Sequence, residues 1–241
     1  MENYIATKIG YGNPYGNYWF IGPEEGGSIA SLNQRIAIWN KLGKEQHFHD
    51  LKKFHLAYKK GTEHFFEGNI KLQRTWNGLI EILFGIKGKE IKLEAKKEYQ
   101  SNQLGAEDGE TLLAELFPFA SKSLNDSEWN ELFGESKKDY WEKYANQRIQ
   151  LITEQIEIYK PKLVVFYSVS FQKQWMEIIG SLNAEQIEIN NNNLPTTLFS
   201  NKSTTFCIVP HPVSIKMNGK VKYEIGRVLN EIKNLDYNLL N

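Results

Sequence analysis

The sequence predicts an α/β fold in which helices cover both faces of a central, mostly parallel sheet. Three short, apolar runs predict buried strands, namely Tyr18–Ile21, Leu163–Tyr167 and Thr205–Val209. Longer segments with apolar residues at helical spacing lie between them, and several end at a glycine or a proline. Strands that alternate with helices are typical of a three-layer α/β/α architecture with a doubly wound sheet.

Local patterns predict the remaining elements. The chain begins with a lead-in loop over residues 1–17 and the strand 18–21, and helices over 29–42, 50–59 and 70–84 follow. A helix and an exposed loop over 87–110 lead to a strand over 112–119, which Pro118 interrupts, and then to a helix over 138–159. After the strand 163–167 come a helix over 171–179, strands over 187–189 and 196–199 around an asparagine loop at 190–193, the strand 205–209, and a closing helix over 223–235.

Length and composition favour one domain. The chain has 241 residues and no Pro/Gly/Ser-rich linker, so residues 1–241 are predicted to form a single domain. Its 29 basic residues balance its 29 acidic ones, so nucleic-acid binding would need a local basic patch. The single cysteine, Cys207, excludes a disulfide framework and a four-cysteine metal site and is predicted to lie in the core. No signal peptide or membrane-length apolar run is present, which predicts a cytoplasmic protein.

Two segments follow predicted strands and carry candidate catalytic groups. Gly22–Ser28, GPEEGGS, is predicted to be a tight acidic turn that leaves backbone N–H groups exposed and ends at the helix N-cap Ser28. Pro210–Ser214, PHPVS, is predicted to be a stiff turn that presents His211. Because ligands of open α/β sheets bind beyond the carboxyl ends of the strands, we expect Glu24 or Glu25 to converge with His211.

On these two segments the chain resembles the uracil-DNA glycosylase superfamily. In that superfamily a glycine, a polar or acidic residue, a proline and a glycine follow the first strand, and a histidine, a proline and a serine follow the last. Gly22–Gly26 and His211–Ser214 match these motifs in kind and order, and the strand LLAELFPF lies between them as expected. The resemblance extends from Tyr18 to about Leu235. It implies the superfamily fold and a monofunctional DNA glycosylase that uses no metal or cofactor.

The resemblance also implies roles for individual residues. Glu24 takes the position of the residue that orients the attacking water, with Glu25 in reserve, and His211 would donate a hydrogen bond to the departing base. Around the base, the predicted contacts are Gly22, Pro23, Glu115 and Phe119. The backbone of Gly26, Gly27 and Ser28 is predicted to bind a phosphate. The loop after His211, which includes Ser214, is predicted to enter the minor groove with Ile215 or Met217 as an apolar wedge and with Lys216 and Lys220 on phosphates.

Glu115 departs from the superfamily pattern. Uracil-specific relatives have an asparagine at the end of this strand, LLAE, and its amide recognises uracil. A glutamate suits the amino group and ring nitrogen of cytosine better. We therefore expect a cytosine-type base, in modified form because excising plain cytosine would be destructive, and phage DNA with modified cytosines would be such a target.

The long segment from about 47 to 105 is predicted to be a helical insertion that makes the pocket roomier. The aromatic residue that stacks on the flipped base is not evident from the sequence, and the candidates are Phe48, Phe54 and Phe119. The scattered histidines of the insertion favour solvated side chains over a metal site.

Other interpretations compete with this one. Glu24 and Glu25 would also suit a solvated turn or a helix N-terminus, where negative charge is favourable. His211 would also suit a structural role between prolines. Glu115 would also suit a buried ion pair with a lysine such as Lys122. Two other functions stay open: a nucleic-acid-binding module of the same fold without catalysis, and a hydrolase of free nucleosides or nucleotides. No obligate protein partner is evident, and DNA is the expected partner.

Overall fold

The computed structural model describes residues 2–43, 46–58, 61–121, 127–134, 136–188 and 194–239. Its helices are α1 Glu2–Thr7, α2 Leu32–Gly43, α3 Leu51–Tyr58, α4 Arg74–Ile86, α5 Leu93–Asn102, α6 Ser127–Phe133, α7 Lys137–Tyr159, α8 Gln172–Ser181 and α9 Gly219–Leu239. Its strands are β1 Gly10–Gly12, β2 Tyr18–Gly26, β3 Phe48–His49, β4 Thr111–Ser121, β5 Leu163–Tyr167, β6 Glu185–Ile187, β7 Thr197–Ser200 and β8 Thr205–Val209.

These strands form one mixed sheet in the order β3-β1-β4-β2-β5-β8-β7-β6. The four central strands, β4, β2, β5 and β8, are parallel, and antiparallel pairs join β1 to β4, β8 to β7 and β7 to β6. Neighbouring residues of β5, such as Val164 and Val165, point to opposite faces of the sheet and are both fully buried. Both faces are therefore covered, and the predicted α/β class with a largely parallel sheet is confirmed.

The acidic segment after the first strand is not a turn, contrary to the prediction. β2 continues through it to Gly26, because the longer β4 supplies partners along the way: Gly22 lies opposite Glu115 and Glu24 opposite Phe117. The pairing of β2 with β5 ends at Ile21. Pro23 thus lies where β2 has a partner strand on one side only, the position in a sheet at which proline is tolerated.

Two more predictions are wrong for the same reason, namely pairing with residues distant in sequence. Pro118 does not interrupt β4, because a register irregularity between β2 and β4 accommodates it. Residues 1–17 are not only a loop: α1 buries Tyr4 and Ile5, and β1 pairs with β4. Local composition indicated neither contact.

Most other predicted elements are present near their expected bounds. β5 and β8 have the predicted limits, Cys207 is fully buried in β8, and β6 lies slightly before its predicted position. The predicted insertion at 47–105 contains β3 and helices α3 to α5. The asparagine loop at 190–193 lies outside the described residues. Within the described ranges, no helix has the length and apolarity needed to cross a membrane.

Helices α4 and α9 touch backbone to backbone. A Cβ atom on Gly85 would lie 2.1 Å from the carbonyl oxygen of Tyr223, and one on Gly226 would lie 2.0 Å from that of Ile82. Only glycine permits so close an approach. The insertion therefore packs directly against the segment that follows the predicted histidine turn.

Candidate active site

A cavity of about 460 Å³ contains the predicted catalytic groups. It lies beyond the carboxyl ends of β5 and β8. Glu24 and Glu25 come from the second half of β2, Glu115 comes from the middle of β4, and His211 follows β8. We call it the site cavity. The convergence of carboxylates with His211, expected from the order of the strands, is thus present in the geometry.

Glu24 is held in the site cavity by the first two turns of α7. Trp141 donates from Nε1 to one carboxylate oxygen at 2.7 Å, and the ammonium group of Lys137 lies 2.5 Å from the other. Lys137 and Trp141 are four residues apart and so share one face of the helix. A capping box between Ser136 and Asp139 fixes where that helix begins. The ammonium and indole donors favour the ionised form of Glu24. Glu24 is therefore paired with protein groups and is not the solvated residue of the competing interpretation.

Glu25 lies in a larger network of donors than Glu24 does. Its carboxylate receives Arg35 at 2.6 Å, Lys8 at 2.8 Å and the hydroxyl of Tyr11 at 3.0 Å. Burial alone would raise the pKa of Glu25, but the two cations outweigh burial and hold this pKa far below its usual range. Lys8 is completely buried, so its charge depends on Glu25. This geometry favours a structural counter-ion at position 25 and leaves Glu24 as the better catalytic candidate.

Glu115 is a buried carboxyl group that forms no ion pair with a described residue. Tyr167 donates its hydroxyl to Oε1 at 3.2 Å, and Oε2 has no hydrogen-bond partner there. Burial, and then the charge of Glu25, raise the pKa of Glu115 to about 8. Glu115 is therefore mostly protonated at neutral pH, with an O–H donor and a carbonyl acceptor. The alternative partner Lys122 lies outside the described residues.

Gly22 makes room for the tyrosine that contacts Glu115. A Cβ atom at Gly22 would lie 2.2 Å from the ring of Tyr167, which is closer than two non-bonded atoms can approach. We expect Gly22→Ala to displace Tyr167 and to lower the free energy of unfolding by about 1–3 kcal/mol, the usual effect of overpacking. Urea titration measures this loss. Gly26→Ala, in the same strand, is the matched control because its Cβ would meet nothing within 4 Å; equal losses in both variants would contradict the interpretation.

His211 presents a neutral imidazole to the site cavity. Burial lowers the pKa of His211, so the ring is uncharged at neutral pH. Its edge packs against Tyr167, and Nδ1 accepts the backbone N–H of Val213 at 3.4 Å. Since Nδ1 accepts, the proton of the neutral ring belongs on Nε2, which makes that nitrogen the hydrogen-bond donor.

The aromatic side chains of the site cavity are Phe65 and Trp76, in addition to Tyr167. Phe65 and Trp76 are partly exposed and meet edge to face at 5.5 Å. Neither was predicted to line a site, and Trp76 in particular matches the apolar spacing of α4. Its place in the first turn, just after the N-cap Gln73, could have indicated an exposed ring. Thr62, Gln73 and Thr75 add polar groups from the same region.

The three aromatic residues proposed from the sequence lie elsewhere. Phe119 is buried against Tyr4 and Tyr140, on helices α1 and α7. Phe54 is completely buried, and Phe48 packs on Trp19. None of the three lines the site cavity. Alternation along a strand cannot identify which buried ring faces a cavity.

Some of the predicted DNA-contacting residues are exposed, and others are buried or already hydrogen-bonded within the protein. Ile215 is 98% exposed, and Lys216 and Lys220 are also exposed, whereas Met217 is only 2% exposed and is no wedge. The backbone N–H of Ser214 donates to the carbonyl oxygen of His211 at 2.8 Å and so closes this loop.

The backbone after β2 is less available than predicted. The N–H of Gly27 donates to Ser121, and Ser28 caps a short helical turn by accepting the N–H of Ala30. Pro23 and Gly26 line the site cavity. A phosphate would therefore not find the row of free N–H groups that a tight turn would have offered.

No model of a known protein family matches the sequence, and no curated protein matches it significantly. Across the described ranges, no three His, Cys, Asp or Glu side chains are grouped so as to hold a metal ion.

Proposed function

We propose that this protein is a monofunctional DNA glycosylase, a divergent member of the uracil-DNA glycosylase superfamily that excises a modified cytosine-type base. The observation that carries the proposal is the site cavity itself. The carboxylate of Glu24 on β2, the protonated carboxyl group of Glu115 in the middle of β4 and the neutral histidine His211 after β8 all line it. Partly exposed aromatic rings on its wall suit a flipped base.

Glu24 and His211 divide the bond cleavage between them. As the C1′–N bond breaks, its electron pair goes to the base and the sugar becomes cation-like, which the charge of Glu24 stabilises. Water then adds its hydroxyl group to C1′, oriented by Glu24, and its proton balances the charge on the freed base. The Nε2–H of His211 donates to the base oxygen that gains negative charge. Water is the only co-reactant required.

Glu115 selects the base in this proposal. Tyr167 donates to Oε1 of Glu115, so the proton of the carboxyl group belongs on Oε2. In this fixed orientation the group donates to the unprotonated ring nitrogen of cytosine and accepts from its amino group, whereas uracil presents an N–H and a carbonyl oxygen in those places. A volume of about 460 Å³ lies within the range of pockets that hold drug-sized ligands. The site cavity therefore has room for a cytosine that carries a substituent, which suits defence against phage with modified DNA.

A panel of duplexes tests the proposal. Duplexes with uracil, cytosine, hydroxymethylcytosine or glucosylated hydroxymethylcytosine are incubated with the protein, the released bases are identified by mass spectrometry, and abasic sites are revealed by alkaline cleavage. We expect release of a modified cytosine. Release of uracil alone would overturn the assignment of Glu115, and no release from this panel or from natural modified DNAs would overturn the enzymatic function.

One observation favours a second candidate, a binding module without catalysis. Both acidic residues of β2 are engaged by cations, Glu24 by Lys137 and Glu25 by Lys8 and Arg35. Tight binding of a modified duplex without base release would support this alternative. Release from a free nucleoside without duplex binding would instead indicate a nucleoside hydrolase.

A further inference from the structure

A second groove lies on the other side of the loop that carries His211. Its volume is about 330 Å³, and three helices each supply a cation to it: Arg74 from α4, Lys96 from α5 and Lys222 from α9. We call it the basic groove. Within the loop, His211 lines the site cavity, while Pro212 and Val213 line the basic groove. A few residues therefore separate the two.

The cations of the basic groove exceed its anions. Lys96 and Lys222 are both buried and share the carboxylate of Glu81, at 2.7 and 2.8 Å. One carboxylate neutralises only one of the two ammonium groups. Arg74, at the start of α4, is exposed and has no ion pair with a described residue. Buried charge without a counter-ion is unfavourable, so an anion in the groove would be stabilised.

We infer that the basic groove binds a phosphate group, namely a backbone phosphate of the nucleic acid whose base occupies the site cavity. The inference rests on the proposed function for the identity of the ligand. A strand that places one nucleotide in the site cavity carries its neighbouring phosphates past the His211 loop. Arginine and lysine are the side chains that bind phosphate most strongly, through charge-assisted hydrogen bonds. The phosphate of a free nucleotide has the same chemistry.

The salt dependence of duplex binding tests this inference. We expect Arg74→Gln to weaken binding and to reduce the slope of log K against log salt by about 1, the effect of losing one phosphate contact. The matched control is Lys173→Gln, which removes one positive charge from α8 at a side chain that is 86% exposed and outside the groove. Lys222→Met is a second variant, which leaves Glu81 paired with Lys96. Equal slopes in the Arg74 and Lys173 variants would overturn the inference.

Inorganic phosphate and a 5′-mononucleotide separate the two sources of the ligand. Their binding is measured by calorimetry on the same variants, independently of base release. If base release is absent but Arg74→Gln weakens phosphate or nucleotide binding at least tenfold, the groove is a phosphate site although the proposed function is wrong. If Arg74→Gln binds duplex, nucleotide and phosphate as tightly as the wild-type protein does, the inference is wrong even when base release occurs.

Discussion

Replacing Glu24 with glutamine is expected to slow single-turnover base release by roughly 10²- to 10⁴-fold, the range typical for loss of a positioned acid or base. Glutamine keeps the size of the side chain and an oxygen for Trp141, which donates to Glu24 at 2.7 Å. It removes the negative charge that faces the cation-like sugar. Duplex affinity is expected to be unchanged or slightly higher, because a negative charge near DNA phosphates is removed. Rapid-quench assays with excess protein measure release, and fluorescence anisotropy measures affinity.

Glu25→Gln is the matched control for this prediction. It makes the same chemical change one residue further along β2, but it leaves the buried Lys8 and Arg35 without their counter-ion. Removal of one partner from a buried ion pair is strongly destabilising, by about 3–5 kcal/mol. Glu24→Gln also removes the carboxylate from a buried cation, Lys137, so some loss of stability is expected there too. The loss is expected to be larger for Glu25→Gln, which removes the counter-ion of two buried cations, whereas Glu24→Gln is expected to slow release in protein that is still folded. Release at the wild-type rate by Glu24→Gln would remove Glu24 from the mechanism.

The sequence predicted the position of the site because it depends on strongly patterned strands. The apolar runs of β5 and β8 indicate parallel strands buried on both faces, and His211 follows the end of β8. The path of β2 was not predictable in the same way. Whether Gly22–Gly26 turns or stays extended depends on β4, whose partner residues lie about 90 positions later in the sequence. In this segment, hydrogen bonds to a strand distant in sequence outweigh the local preference for a turn.

The partners of the site were harder to predict than its central residues. Lysine side chains are ordinarily exposed, yet Lys8 and Lys137 are both buried next to the acidic residues of β2. Nothing within a few residues of either lysine indicates its partner. Phe65 and Trp76 reach the site cavity from the insertion, whose packing depends on the contact between α4 and α9.

The pH dependence of the protein is expected to report the protonation of Glu115. Its pKa is about 8 in the folded protein, against an ordinary value of 4.5, so the folded state holds a proton that the unfolded chain loses between these values. The stabilisation is complete below pH 4.5 and is lost as the pH rises towards 8. Release of a cytosine-type base is expected to fall above about pH 8, because the ionised carboxylate can no longer donate to the ring nitrogen.

Glu115→Gln separates this effect from every other titration. The amide presents one donor and one acceptor to the base, as the protonated carboxyl group does, but it does not titrate. We expect release near the wild-type rate at pH 7, no decline up to pH 9, and a free energy of unfolding that no longer falls between pH 5 and pH 8. Glu115→Ala, which removes both groups, is expected to lose release at every pH. If Glu115→Gln declined above pH 8 as the wild type does, the alkaline limb would belong to another group, and the assignment of base recognition to Glu115 would be wrong.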